Sequence, residues 1–448
     1  MNQQVATLTV QQRYAVLAAG FLGWMLAGVQ LGITSIVMRD AAKDLLGTTD
    51  ESDIGQWFGW LVSAFMLGAA SGGYLFGWIG DKNGRRTGMA LSIACYSIAA
   101  GMTSLVTSPS QLLLARFIVG LGVGGMWPNG IALVAEAWPK MSRPMLAGVI
   151  GTAANVGIMC FSILTCFVVV TPDEWRWTMI LTTSPLLLAV MVFLFVPESP
   201  RWLSTVNEPM DETANRGKGS SPLVEVFRPP LLRYTILGIA LGTVPLFGGW
   251  GNANWANAWA AQVGDAQSNE QPEPDSTKTK DAKQDKSEKK SDPTLKAYAL
   301  LARSAPGSLA SLLGGAIATI IGRRRFYFGL SLICLCCAQA LFRYSHPSDP
   351  SFYRWMAALG LFSGFFFGWL PLYLPELFPT RVRSTGAGVS FNFGRIGTVV
   401  GILVAAGLLK QVFDGDYAAI GRLTSWVYAV GAIVILFAPD TAGKDLSD

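Results

Sequence analysis

Gly77-Trp78-Ile79-Gly80-Asp81-Lys82-Asn83-Gly84-Arg85-Arg86 ends one apolar run, and a second starts at once with Thr87. The stretch turns the chain at glycine and crowds Asp81, Lys82, Arg85 and Arg86 into six residues. Charge this dense between two long hydrophobic segments belongs at a membrane surface. A generic charged loop explains the positive residues but not their spacing, G-x-x-x-D-[RK]-x-G-[RK]-[RK].

Working outward, the 448 residues are 51% hydrophobic and 14% charged. Soluble domains carry about 25% charged residues, so the excess apolar surface points to a bilayer. Runs long enough to cross about 30 Å of hydrocarbon lie near 14–38, 57–79, 87–106, 111–135, 145–170, 177–197, 231–262, 296–321, 327–343, 351–375, 385–409 and 417–438. They predict an all-α integral membrane protein of twelve transmembrane spans. The first run is too long for a cleavable signal. The net charge of +5 comes from Lys and Arg in short loops and gives no reason to expect nucleic acid. All six cysteines fall inside apolar runs, without disulfide or metal spacing. The single histidine, His346, lies in a loop. No nucleophile–base pair or metal cluster is legible, so no enzyme, cofactor or metal site is expected.

Alternate loops carry Lys82/Arg85/Arg86, Lys140/Arg143, Arg201 to Arg233, Arg323/Arg324/Arg325 and Arg381/Arg383. The intervening loops are acidic: Asp40, Asp44, Asp50, Glu51 and Asp53 after span 1, Asp173 and Glu174 after span 5. The positive-inside rule therefore predicts both termini in the cytoplasm. Residues 1–203 form a first six-span bundle, 204–230 a cytoplasmic linker, and 231–448 a second bundle. The polar run 264–293 is expected to be an outer insert without fixed structure, a solvated spacer or a partner-binding element.

The halves repeat. Glu136-x-x-Pro139-x-x-x-Arg143-x-x-x-Ala147-Gly148-Val149 recurs 240 residues later as Glu376-x-x-Pro379-x-x-x-Arg383-x-x-x-Ala387-Gly388-Val389. Gly120, Leu121 and Gly124 recur as Gly360, Leu361 and Gly364. The opening motif recurs at 238 as Gly315…Gly322-Arg323-Arg324, with Thr319 in place of Asp81. This is a six-plus-six parallel repeat.

Loop motif and repeat together resemble the major facilitator superfamily, over nearly the whole chain except 204–230 and 264–293. Pro197-Glu198-Ser199-Pro200-Arg201 and Glu376-x-x-Pro379-Thr380-x-x-Arg383 resemble its branch of sugar porters, organic ion transporters and synaptic-vesicle glycoproteins. Gly20-Phe21-Leu22-Gly23-Trp24-Met25-Leu26-Ala27 is similar to sialate and monocarboxylate:proton symporters, which carry aspartate where Ala27 stands. Proton coupling is thereby put in question, leaving uniport, exchange, or coupling through the substrate carboxylate or Glu136/Glu376. The resemblance implies two pseudo-symmetric six-helix bundles and alternating access. It implies that Asp81 pairs across the halves near the start of span 11 and locks the outward-open state. Arg85, Arg86, Glu136/Arg143, Glu198/Arg201 and Glu376/Arg383 flank the ends of the moving spans as gating residues. Arg116-x-x-x-Gly120-x-Gly122-x-Gly124-Gly125 resembles the family's span 4 motif. An arginine inside an apolar run is functional by default, unless it snorkels to the surface.

Arg395 lies ten residues into span 11, about 15 Å along the axis; its repeat mate Asn155 lies at the same depth in span 5, so the two are expected to face each other across the central cavity and hold the substrate. A midplane guanidinium without a nearby acid calls for an anion, and a substrate carboxylate can supply it. Organic anion transporters resemble this, with an arginine at this place. The alternative is a guanidinium paired with backbone carbonyls or water. Gln30, Asn129, Asn392, Trp250, Asn254, Trp255, Trp369 and Tyr373 are candidates for the remaining polar and aromatic wall. Gly248-Gly249-Trp250-Gly251-Asn252-Ala253-Asn254-Trp255-Ala256-Asn257 suggests that span 7 is broken in its outer half. The expected function is transport of a small organic anion, a monocarboxylate or sugar acid, across a bacterial cytoplasmic membrane, by a lipid-embedded monomer. A neutral sugar transporter, or a non-transporting receptor recognising partners through 264–293, are the alternatives.

Overall fold

A computed structural model describes residues 8–138, 143–207, 222–269, 292–379 and 382–441. Twelve helices cross the molecule: α1 (Val10–Ile36), α2 (Glu51–Asn83), α3 (Arg85–Thr103), α4 (Pro109–Ala137), α5 (Arg143–Phe167), α6 (Arg176–Phe195), α7 (Leu232–Ala266), α8 (Leu295–Ile321), α9 (Arg323–Tyr344), α10 (Pro350–Glu376), α11 (Arg383–Gln411) and α12 (Tyr417–Phe437). Eleven are long and apolar enough to span a bilayer. The other, α3, opens on Arg85-Arg86-Thr87 and carries Ser92, Tyr96 and Ser97, but packs along α4 like its neighbours. No strand occurs among the described residues.

Helix starts follow local chemistry. Asp50 accepts the Ser52 N–H (2.9 Å), which caps α2 and holds the Asp50 carboxyl below the usual range. Ser108 accepts the Gln111 N–H ahead of Pro109 at the start of α4.

The repeat is visible in the backbone. Gly84 turns α2 into α3 at φ 102°, ψ 144°; Gly322 turns α8 into α9 at φ 98°, ψ 140°. Gly120 and Gly124 of α4 face the carbonyls of Phe65 and Ala69 on α2. Gly360 and Gly364 of α10 face those of Arg303 and Gly307 on α8, the same contacts at the same offsets. Small residues thus let helix backbones touch where hydrocarbon supplies no hydrophobic drive. The bundles meet along two seams, α2 with α11 and α5 with α8, and α1 also meets α7 and α8.

Two expectations need correction. The α7 helix is not broken: Phe247–Asn252 is a π-helical segment joining Leu232–Leu246 to Ala253–Asn269 without interruption. Pro245 lacks an N–H to donate, and Gly-Gly-Trp-Gly tolerates the wider turn. The first residues of the supposed insert, 264–269, are the end of that helix. Residues 270–291, where partner recognition was envisaged, lie outside the described residues.

Gly84→Ala should be costly. Its φ lies in the region that favours glycine, and a Cβ would run into the Glu198 carboxylate. That carboxylate accepts the Arg86 N–H (3.1 Å). We expect a loss of roughly 1–3 kcal/mol, read as a lower unfolding temperature in detergent. Gly77→Ala, with open space around it, should not lower that temperature.

Candidate functional site

The two faces of the molecule are tied differently. On the face opposite the termini, ion pairs join the bundles. Lys296 of α8 binds Asp40, and its Nζ also donates to the Val170 carbonyl (2.9 Å). Asp265 of α7 takes Arg39 (3.0 Å) and Lys43 (2.8 Å), while Arg39 also grips Glu51. Lys410 of α11 reaches Asp53 (2.7 Å), and Ser35 Oγ donates to Asn254 Oδ1 (2.6 Å). On the terminal face, Arg86–Glu198, Ser199–Glu136, Arg323–Glu376 (3.0 Å) and Thr441–Glu376 (2.5 Å) each stay within one bundle. Asp81 pairs with Arg85 in its own turn and remains largely exposed, so the expected bond to α11 is not made in this conformation. A latch between halves forms only where they close, and this conformation is closed at the other face. Arg383 donates to the Phe378 carbonyl (3.3 Å); the Arg143 and Arg201 side chains lie outside the described residues.

Beneath the seal lies a polar layer. The α1 and α7 helices run in the same direction where Ser35 meets Asn254. Five residues lower on each, Gln30 comes level with Gly249, about 8 Å below that bond. Arg303 of α8 donates through Nη2 to the Gly249 carbonyl and lies 5.5 Å from the Trp250 ring centre. Arg116 of α4 donates to the Gln30 carbonyl (3.4 Å) and to Thr34 Oγ1, and lies 4.7 Å from the Phe65 ring centre. Phe65 and Arg303 are repeat mates at 238, so each bundle brings one guanidinium to this level. Around them are buried polar atoms without partners: both side-chain atoms of Gln30, the amides of Asn252 and Asn257, Asn254 Nδ2, Tyr428 Oη and the Nε of both arginines. Buried polar groups are nearly always hydrogen-bonded. Their concentration marks a place for water or ligand.

Arg395 sits lower, at the α2–α11 seam. Its Nη1 donates to the Ala69 carbonyl (3.0 Å) and to Asn392 Oδ1 (3.2 Å), over Phe391. Asn155 lies at the α5–α8 seam and donates to Ser311 Oγ (3.3 Å). The repeat mates thus stand on opposite seams. Ala406 and Trp255 both border Gly59, and Arg395 is eleven residues further toward the terminal face than Ala406, about 16 Å. Trp255 is buried against Phe58 and Tyr417, with Nε1 unpartnered.

Three predicted wall residues have other work. Asn129 Nδ2 donates to the Phe76 (2.8 Å) and Gly125 (2.9 Å) carbonyls, tying α4 to α2. Trp369 Nε1 donates to the Arg323 carbonyl (3.0 Å), and its ring stacks on Tyr373 at 4.5 Å. Tyr373 Oη donates to the Pro439 carbonyl (2.6 Å). Periodicity alone could not say which face of α10 meets α9. Sequence reasoning passed over Arg303, although a charge eight residues into an apolar run was the signal that singled out Arg116 and Arg395. It also passed over Asp40 and Lys296, which stand at run ends. No metal-ligating cluster occurs among the described residues.

Two pseudo-symmetric six-helix bundles, sealed at one face around a polar layer, define a membrane transporter. The Sugar (and other) transporter family model matches residues 15–224, and the Major Facilitator Superfamily model matches residues 286–443. The chain belongs to the major facilitator superfamily. It is 25% identical over 437 residues to the putative niacin/nicotinamide transporter NiaP of Bacillus subtilis, covering 96% of this chain and 94% of that one. It is 26% identical over 452 residues to the sialic acid transporter NanX of Escherichia coli, covering 97% and 95%. The crystal structure of a D-xylose-proton symporter matches with a TM-score of 0.70 at 17% identity, over 97% of this chain and 99% of that one, and shares the fold.

Proposed function

We propose that this protein carries a small organic anion, a monocarboxylate or sugar acid, across a bacterial cytoplasmic membrane by alternating access. One observation carries the reading. Arg116, Arg303 and Arg395 are buried within spans, and none has a carboxylate in hydrogen-bond reach among the described residues. Arginine at mid-membrane costs at least about 2.5 kcal/mol, and a bound anion offsets that cost directly. The names of the niacin and sialic acid transporters point to carboxylated cargo. The positive-inside rule puts the terminal face in the cytoplasm, so the conformation is inward-facing with its outer seal made. Residues 1–203 and 231–448 are then the rocking bodies, joined by 204–230. Ala27 is fully buried among apolar neighbours, which favours uniport or exchange over a proton site in α1.

A neutral sugar is the second reading, favoured by the unpartnered amides of Gln30, Asn252 and Asn257, which suit hydroxyl groups. Counterflow in proteoliposomes separates the two. Labelled nicotinate or sialate should exchange and D-glucose should not; glucose exchange without anion inhibition would reject the anion. Arg395 already spends one nitrogen on the seam. Arg395→Gln should therefore raise the half-saturating anion concentration only about tenfold, the loss of one charge-assisted hydrogen bond.

A further inference from the structure

We infer that the first turn of α7 carries a site for an anionic phospholipid of the cytoplasmic leaflet, with Arg233 on the phosphate and Ile236 along an acyl chain. A groove of about 490 Å³ opens there, lined by Pro229, Pro230, Leu232, Arg233 and Ile236. It lies where the linker enters the second bundle, at the end of a membrane span. Its walls are stiff and apolar. Each proline ring fixes its own φ. Leu232 and Ile236, four residues apart, share one face of the helix, and Ile236 is 58% exposed. The charge at the rim is held in place: Arg233 Nη2 donates to Tyr234 Oη (2.6 Å), and the guanidinium carbon lies 4.5 Å from the Tyr234 ring centre. Among the described residues Arg233 has no ion pair. A guanidinium has five N–H donors in a fork that fits phosphate oxygens, and the tyrosine accepts from one nitrogen only.

The end of the linker belongs to the same layer. Leu223, Val224 and Phe227 are exposed, in and just after the short helix Pro222–Val226. Exposed apolar side chains beside basic ones suit the boundary between headgroups and acyl chains. Arg228, also exposed, adds a second positive charge one residue before the prolines, where an anionic leaflet attracts it. This elbow is fastened to the second bundle. Val226 is fully buried, and its carbonyl accepts from Thr235 Oγ1 (2.6 Å). The Phe227 ring lies 5.6 Å from that of Phe393 on α11, two residues before Arg395. A molecule gripping both the groove and Arg233 therefore stiffens the joint between linker, α7 and α11. A water-soluble phosphate would meet only the charge. A phospholipid meets the charge and the groove together, which makes it the occupant.

Titration of the full chain in a neutral detergent tests this, with dioleoylphosphatidylglycerol against dioleoylphosphatidylcholine. Native mass spectrometry reads the lipid retained, and thermal unfolding reads its effect on stability. Phosphatidylglycerol should be retained and should raise the unfolding temperature; phosphatidylcholine at the same mole fraction should do neither. Arg233→Gln should weaken retention about tenfold, the loss of a charge-assisted phosphate contact. Ile236→Trp keeps the charge and fills the groove, and should weaken it as much. Both side chains are exposed or at the rim, so each variant should fold as the parent does without lipid. Glycerol 3-phosphate, a headgroup without chains, should not displace the lipid. Equal retention of the two lipids overturns the anionic preference. Displacement by glycerol 3-phosphate overturns the lipid as occupant. An equal loss in Arg325→Gln, an exposed arginine on the same face, overturns the site in favour of diffuse surface attraction. None of these readouts involves the transported molecule, so failure here leaves the anion reading standing, and failure of that reading leaves this site standing.

Discussion

Lys296→Ala should open the seal on the face opposite the termini and shift the carrier toward its other state. The Lys296 and Asp40 side chains are 5% and 2% exposed, and they belong to different bundles. With the ammonium gone, Asp40 keeps only Arg39, at 3.6 Å, and its Oδ1 already lacks a hydrogen-bond donor. Removing one partner of a buried pair costs about 3–5 kcal/mol, because the other charge is stranded. Opening that face to water relieves the stranded charge, so the penalty falls on the sealed state alone. At 1.4 kcal/mol per factor of ten, the ratio of sealed to open molecules should fall by roughly a hundredfold or more. A single cysteine at Ser35, which is 4% exposed beneath the pair, reports it. In a background without the native cysteines, an impermeant maleimide added outside should label it rapidly in Lys296→Ala and barely in the parent. Asp40→Ala should behave alike. The exchange Asp40→Lys with Lys296→Asp should restore protection, since it reverses the pair without stranding either member. Unchanged labelling in both single variants would mean that the other ties, Arg39 and Lys43 to Asp265 and Lys410 to Asp53, hold the face without this pair.

This seal was the part of the molecule least legible in the sequence, and for a physical reason. Asp40 read as one acid in an outer loop, because loop charge is a local property. Its pairing with Lys296 depends on how one bundle stands against the other, which no segment encodes by itself. The helices were legible because each must satisfy its own backbone and match the bilayer alone. The turns at Gly84 and Gly322 were legible because positive φ is also a local demand. The α7 helix fell between these cases. Its glycines and asparagines weaken a helix, and composition suggested a break. The chain instead widens into a π-helical segment whose Gly249 carbonyl is taken by Arg303, a residue beyond the insert. At the site, the arginines were legible as costly charges, but their commitments were not. Arg395 drew attention for its depth, yet it leans on Ala69 and Asn392. Trp369 and Tyr373 show the same limit: an aromatic pair four residues apart looks alike on a cavity wall and on a buried seam.

Gly124→Val should be among the most damaging single changes in the first bundle. The space a Cβ would need at Gly124 is taken by the Ala69 carbonyl, and at Gly120 by the Phe65 carbonyl. Backbone cannot rotate aside as a side chain can, so α2 and α4 must separate along their length. A cost above about 3 kcal/mol is expected, beyond ordinary overpacking. It should appear as lost monodisperse protein and a much lower unfolding temperature. Gly329→Ala, a glycine with open space around it, should be neutral or slightly stabilising through helix propensity. A Cβ at the mate Gly364 would lie 2.8 Å from the Gly307 carbonyl, and Gly364→Val should be severe but milder. The carbonyls that these glycines admit also serve the site. Ala69 accepts from Arg395, and the carbonyl facing Gly360 belongs to Arg303 itself. A smaller insult, Gly360→Ala, should therefore leave enough folded protein to measure while displacing α8. Its surviving fraction should bind anion more weakly, whereas Gly407→Ala, also in open space, should alter neither stability nor half-saturation. If Gly360→Ala lowered stability and left half-saturation untouched, Arg303 would not be held to its place by the α8–α10 contact.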